Sequence, residues 1–397
     1  MWRSSWLVAL ACSGCFSFGE SSSAPDAAFF DASVDAPPFM TAAHGPQPQV
    51  VPLAGPVLAA PLVVPVFFTG DSMMQSEIEG FLAALPGSSY WSATTSEYGI
   101  GDIAIAPTVV DIDPPPTSDS DLQMLITTNS AGLHGWPANT PNTIYAVFLP
   151  DGITETTPFG MSCTDFGGYH DETPGGVIYA LLPRCDSGLP ALTSATSHEL
   201  IEASSDPFPF SNPAYQNTDA AHAVWGLSPG GELGDMCEYV QDAFAELDQT
   251  GYSVQRTWSN TAALTSHDPC VPALPMPYVA AEPVFTEQLP FVDAEGNNIT
   301  TPGVSVATGT AVQVEVDLFS DVPTTSWTVQ AYDTDQILLH SQTELQFMFD
   351  QPIGNNGSKL ELTIYRVAPG TNGGSVLLIE SYVGGESVSE WWGWIGN

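Results

Sequence analysis

The periodicity of the apolar residues changes near residue 272, and no single layer architecture accommodates both patterns. Beyond that point the chain alternates strictly. In "AVQVEVDLF", Val312, Val314, Val316 and Leu318 fall on one face of a strand, and Gln313, Glu315 and Asp317 fall on the other. Side chains of a β-strand alternate between faces, so this pattern specifies a half-buried antiparallel sheet. "WTVQAY", "LQFMF", "LELTIY" and "VLLIESY" repeat it, with Gly, Asn and Pro turns between them. Residues 284–397 are therefore expected to form an all-β sandwich.

Before residue 272 the apolar residues come in strand-length runs separated by helical spacing. "PLVVPVFF" reads as a buried strand. Asp71 is placed to cap a helix in which Ile78, Phe81, Leu82 and Leu85 recur at i, i+3, i+4 and i+7. "IAPTVVDI", "TIYAVFLP" and "GVIYALLP" read as further strands, and "SDSDLQMLITTN" and "SHELIEA" as helices. Strands alternating with helices predict an α/β domain over 58–272. "VPALPMPYVAAEP" reads as the connection, with a linker at 273–283.

The chain opens with "MWRSSWLVALACSGCF", a short positive start followed by an apolar run too brief to span a bilayer. "SGC" at Ser13–Cys15 has the form of a lipoprotein signal, with Cys15 lipidated, so residues 1–15 are expected to be removed on export. Residues 16–57 are rich in Ser, Ala, Pro and Asp and read as a disordered acidic tether. Cleavage before Cys15 leaves Cys163, Cys185, Cys237 and Cys270 for two disulfides in an oxidising compartment. Of the three possible pairings, Cys163–Cys185 and Cys237–Cys270 close two local loops and are expected. The 397 residues carry 5 Lys+Arg against 45 Asp+Glu, a formal charge of −40. Such a field repels phosphate backbones and anionic lipid and attracts divalent cations. Nucleic-acid binding is excluded on this ground, and contact with a membrane is expected only through the lipid anchor.

"TSATSHELIEASSDPF" carries the chemistry. On a helix, His198 and Glu202 are i and i+4, with Cβ atoms roughly 6 Å apart on one face. Two ligands at that spacing can grip one ion. Glu199 lies about 100° round the helix, where it can polarise a water without acting as a ligand. H-E-x-x-H zinc peptidases work in this way, and here a carboxylate replaces the second imidazole. Zn²⁺ accepts His, Asp and Glu, and catalytic zinc sites usually hold three protein ligands. A more anionic donor set shifts preference toward Mn²⁺ or Ca²⁺. Pro207 ends the helix. The Gly-rich "GGELGDMCE" then offers a carboxylate as third ligand, Asp235 ahead of Glu232, with Asp206, His222 and His170 as further candidates. His170 or Tyr169, in "CTDFGGYH", can instead hydrogen-bond an oxyanion.

In order along residues 60–272, "SSYWSATTSEYGIG", "CTDFGGYH", "IYALLPRC", "SHELIEASSDP", "GGELGDMC" and "GYSVQRTWSNTAALTSHDPC" resemble a family of secreted bacterial and fungal proteins. That family carries S-H-E-[LI]-x-E-A-x-[ST]-D-P, then E-[IL]-G-D-x-C, then V-Q-x-x-W-S-N and a closing Cys. It is related more distantly to the plant Exordium/phosphate-induced proteins, which lack the H-E pair. The chain departs at Ser205, where Thr is usual. The resemblance implies a zincin-like α/β domain with His198, Glu199 and Glu202 on its active-site helix. It does not reach the tether or the β domain.

These readings converge on an exported metal-dependent peptidase whose substrate is a protein or peptide. The alternative is a non-catalytic surface protein of Exordium type, its site empty or holding a structural ion. A third, weaker option is carbohydrate binding through an aromatic patch at Trp391, Trp392 and Trp394, for which tryptophans closing a small core are the plainer reading.

Overall fold

The computed structural model describes residues 38–397 apart from 71, 159, 186–187, 228–229, 294–295 and 339–340. The expected signal, lipidated Cys15, most of the tether and the Asp71 cap lie outside the described residues.

The first half is a mixed α/β domain. Its central sheet runs Ala104–Ile105, Leu62–Phe68, Thr143–Phe148, Ile178–Leu182, Tyr169–Glu172, with Val109–Asp111 also alongside Leu62–Phe68. The strands are parallel except Tyr169–Glu172, an antiparallel edge. The sheet is buried on both faces, which explains why its strands read as continuous apolar runs. Val63, Phe67, Ile144 and Phe148 join one core with Ile78, Phe81, Leu82, Leu200 and Ile201 of the helices Ser72–Ala84 and Gly188–Ser205. Val64, Val66, Tyr145 and Val147 join the other core with Leu122 and Ile126 of the helix Asp119–Asn129. Ser118 caps that last helix by accepting from the Asp121 N–H.

The second half is two antiparallel-rich sheets around a shared core. One is ordered Val279–Pro283, Ala311–Ser320, Lys359–Arg366, Leu345–Phe349. The other is ordered Glu287–Val292, Asn298–Ser305, Glu386–Gly396, Gly374–Val383, Trp327–Asp333, Ile353–Gly354. Val314, Val316 and Leu318 are buried as the alternation requires, and Gln313 and Glu315 are exposed.

Two expectations are corrected. Residues 38–57 are not a free tether: Val50–Val51 pairs with Asn217–Thr218, and the His44 ring stacks on Phe319 at 3.6 Å. Val279–Pro283, expected within the linker, is an edge strand of the sandwich. As the plainer reading has it, Trp391, Trp392 and Trp394 close the core and form no exposed patch. They are 5%, 1% and 4% exposed, and Trp391 meets the Trp225 ring of the α/β domain edge-on at 6.0 Å. Gln241 and Ser387 exchange hydrogen bonds across the same junction. The two halves therefore share one continuous hydrophobic core.

Both disulfides, Cys163–Cys185 and Cys237–Cys270, are formed as expected. They suit an oxidising compartment outside the cytoplasm. No helix among the described residues is long and apolar enough to cross a membrane.

Candidate metal centre

The helix Gly188–Ser205 is buried along nearly all of its last fourteen residues. Its polar residues tolerate this because they bond their own helix. The hydroxyls of Thr196, Ser197 and Ser204 donate to the carbonyls of Leu192, Ser194 and Leu200. Ser197 Oγ also accepts from the Gln255 N–H at 2.9 Å, tying the helix to the strand Ser253–Gln255. A helix held this way presents His198, Glu199 and Glu202 in fixed positions, each 5% exposed or less.

The loop 231–238 supplies the opposite wall, pinned by Cys237–Cys270 and by Trp258 N–H to Leu233 carbonyl. The N–H groups of Gly234 and Asp235 donate to Glu202 Oε1 at 2.9 and 3.1 Å. Glu202 Oε2 then faces His198 Nε2 at 2.9 Å, and Asp235 Oδ1 lies 3.5 Å from the same nitrogen. His198, Glu202 and Asp235 thus form one group whose ligand atoms all lie within 4.8 Å of one another. Gly234 leaves no room for a side chain here: an added Cβ would come 2.6 Å from His198 Nδ1 and 2.8 Å from Glu202 Oε1. Gly234→Ala is expected to push both ligands aside and weaken divalent-ion affinity about 10- to 100-fold, as loss of supporting contacts does elsewhere. Titration calorimetry measures this, and an unchanged affinity would refute the tight packing.

His170 approaches from the edge strand Tyr169–Glu172. Its Nε2 lies 3.1 Å from the Asp206 carbonyl, which can only accept, so Nε2 carries a proton. Nδ1 lies 3.6 Å from Glu199 Oε2 and 3.7 Å from Glu202 Oε2, making a second group of His170, Glu199 and Glu202. Glu202 is common to both groups, and neither contains both imidazoles. Glu232 stands on the His170 side, its Oε1 3.9 Å from Nε2. Of the two loop carboxylates considered for the third ligand, Asp235 is the one beside His198.

Tyr169 is not in this cluster. It neighbours His170 in a strand, so its side chain takes the other face, where its hydroxyl donates to Glu155 and Asp119. His222 is also elsewhere, paired with Asp219 and edge-on to Trp391. Asp206 contributes its carbonyl to His170, while its buried Oδ2 has no hydrogen-bond partner within the protein.

Electrostatics confirm that the cluster is under-compensated. Burial, then the charges of Glu202 and of neighbouring carboxylates, hold Glu232 and Asp235 well above the usual carboxylate range. Burial would raise Glu202 too, but His198 and His170 bring it down to about 2. Burial pulls His170 down, and Glu199 and Glu202 more than reverse this, holding it at about 9. A divalent cation relieves this crowding of negative charge, and the donor set fits one.

A cleft of about 570 Å³ opens beside the cluster. Its lining includes Ser194 and Ala195, one turn before His198 and Glu199, and Gly167. The adjacent Gly168 lies so close to Glu199 that an added Cβ would stand 2.9 Å from Oε1. Glu238, which the motif reading passed over, lines the cleft too. Its only sequence signal is its place at the end of "GGELGDMCE", next to Cys237.

A scan against protein-family models and a search of curated proteins found no match to the chain.

Proposed function

We propose that this chain is an exported, zinc-dependent peptidase, zincin-like in its α/β domain and anchored through Cys15. The observation that carries the reading is the His198–Glu202–Asp235 group, with Glu199 on the same helix one turn after Ala195, which lines the neighbouring cleft. The H-E-x-x-E helix and the antiparallel edge strand next to it support the zincin-like assignment. One imidazole and two carboxylates suit Zn²⁺, with Mn²⁺ next; Ca²⁺ takes six to eight oxygens and is disfavoured by the imidazole.

An ion held by these three residues supplies Lewis acidity, polarising a peptide carbonyl and making water more acidic. Glu199 takes the proton from the attacking water and passes it to the leaving amine. Its burial, at 3% exposed, keeps bulk water from competing for that proton. His170 positions Glu199: its Nδ1 stands 3.6 Å from the carboxylate, while its Nε2–H is anchored on the Asp206 carbonyl.

Elemental analysis of protein purified without chelators tests this, beside a His198→Ala control. About one equivalent of zinc, lost in the control, is expected. No transition metal in either sample would favour the non-catalytic Exordium-type binding protein instead.

A further inference from the structure

His170, Glu199 and Glu202 form a donor group of their own, and Glu202 links it to His198 and Asp235. His170 is oriented as a metal ligand is. Its Nε2–H donates to the Asp206 carbonyl at 3.1 Å, and histidines on metals commonly give their other N–H to a carbonyl or carboxylate in this way. That fixes Nδ1 as the nitrogen facing the carboxylates, where a divalent ion can take the place of its proton. A proton on Nδ1 would draw one acceptor to hydrogen-bonding length. Nδ1 stands instead 3.6 Å from Glu199 Oε2 and 3.7 Å from Glu202 Oε2. Two ligands on one tetrahedral Zn²⁺ are about 3.4 Å apart, so these atoms need little movement to meet an ion. All three side chains are more than nine-tenths buried, so bulk solvent does not serve them. Glu202 Oε1 is taken by the Gly234 and Asp235 N–H groups, which leaves Oε2 to face both imidazoles. Charge points the same way. The carboxylates of Glu199, Glu202, Glu232, Asp235 and Glu238 outnumber the imidazoles of His170 and His198. Glu238 Oε2 is buried with no hydrogen-bond partner within the protein. One divalent ion leaves much of that negative excess in place. Ions have a way in, since Asp235 beside His198 and Glu232 beside His170 keep 14% and 13% of their side chains exposed.

We propose that a second divalent ion binds at His170, Glu199 and Glu202, joined to the first through Glu202 Oε2, and that it inhibits the enzyme. The inhibition rests on the peptidase reading above, and the binding does not. A carboxylate that ligates an ion is no longer free to take a proton from water, so filling this site removes Glu199 as the base. The second ion is the weaker one, because it shares an oxygen with the first and is repelled by its charge. Hydrolysis is therefore highest near one equivalent of zinc and falls as free zinc rises.

Calorimetric titration of Zn²⁺ into the chelator-stripped full mature chain tests the binding. Two events are expected, the first tighter. His170→Gln is expected to weaken the second by at least about 10-fold and to spare the first, since losing even a supporting contact costs that much. Asp235→Asn is expected to weaken the first. Circular dichroism verifies that each variant folds. A chain of charge −40 also gathers ions on its surface, so Co²⁺ serves as a second probe on the unaltered protein. Two Co²⁺ ions sharing one carboxylate oxygen, about 4 Å apart, couple magnetically, and the paramagnetic resonance signal per ion is expected to drop at the second equivalent. A single binding event overturns the proposal. So does a second event indifferent to His170→Gln, or an undiminished signal, either of which marks an adventitious ion only. Peptide hydrolysis at one and two equivalents separates the two readings. It is expected to fall about 100-fold or more once the second site is full, as for a lost general base. Hydrolysis unchanged or raised by a coupled second ion retains the peptidase and overturns the inhibition. Coupled ions without hydrolysis at any loading retain the ion pair and overturn the peptidase.

Discussion

Glu199→Gln is expected to lower peptide hydrolysis by about 10²- to 10⁴-fold while leaving the metal content unchanged, the range typical for a lost general base. The two halves of this result have separate causes. Glu199 is outside the His198–Glu202–Asp235 group, so the three-ligand set survives the substitution. Gln is nearly isosteric and keeps a polar atom facing His170, so the buried wall is retained. Only the ability to accept and return a proton is removed. Measuring kcat and zinc stoichiometry on the same preparation resolves the two. Loss of zinc together with activity would make Glu199 a ligand, in the group it shares with His170. Unchanged kcat would place the base elsewhere.

Arg256→Met is expected to cost about 3–5 kcal/mol of stability, the usual effect of removing one partner of a buried ion pair. Arg256 is fully buried. Its guanidinium donates to the carbonyls of Asp242 and Pro272 at 3.0 Å each, bonds the Cys270 carbonyl, and pairs with Asp268. Met fills a similar volume but leaves Asp268 and three carbonyls without that donor. These contacts sit at one end of the Cys237–Cys270 bridge, which pins the loop that carries Asp235. Thermal unfolding is therefore expected to show a Tm lower by roughly 10 °C, with zinc affinity reduced in the same protein. A stability change below about 1 kcal/mol would mean that water replaces the guanidinium at little cost.

Where local pattern decides structure, the sequence was legible. The alternation at Val312–Leu318 specifies a one-sided sheet, and that sheet is present. The i, i+3, i+4, i+7 spacing at Ile78–Leu85 specifies a helix whose apolar face is buried, and it is. The i, i+4 spacing brought His198 and Glu202 together as the helix geometry requires, and the nearby bridged cysteine pointed to Asp235, which lies beside His198. Long-range partners were not legible. Tyr169 and His170 are equally plausible in isolation, and only the docking of their strand on one side of the sheet selects His170. Residues 38–57 have the composition of a tether, yet His44 and Val50 find partners more than 160 residues away in sequence. "EWWGWIG" looked as though it could expose aromatics. Its strand is instead covered on both faces, which is why its apolar run is unbroken rather than alternating. Glu238 carries no motif. Its interest lies in a missing hydrogen-bond partner, which no spacing rule reveals.

The scarcity of basic residues has a bearing on resistance to proteases. Digestive enzymes of the trypsin kind cut after lysine or arginine in chain that can be drawn out and extended. Here Arg256 and Arg366 are sealed in the interior, and Arg184 is partly covered beside a disulfide. Lys359 is exposed, but it opens a strand paired on both sides. Among the described residues, the folded surface thus presents almost nothing for such enzymes to grip. So few accessible cleavage sites are expected to make the folded protein resistant to enzymes of the trypsin kind, which a digest of the native protein measures.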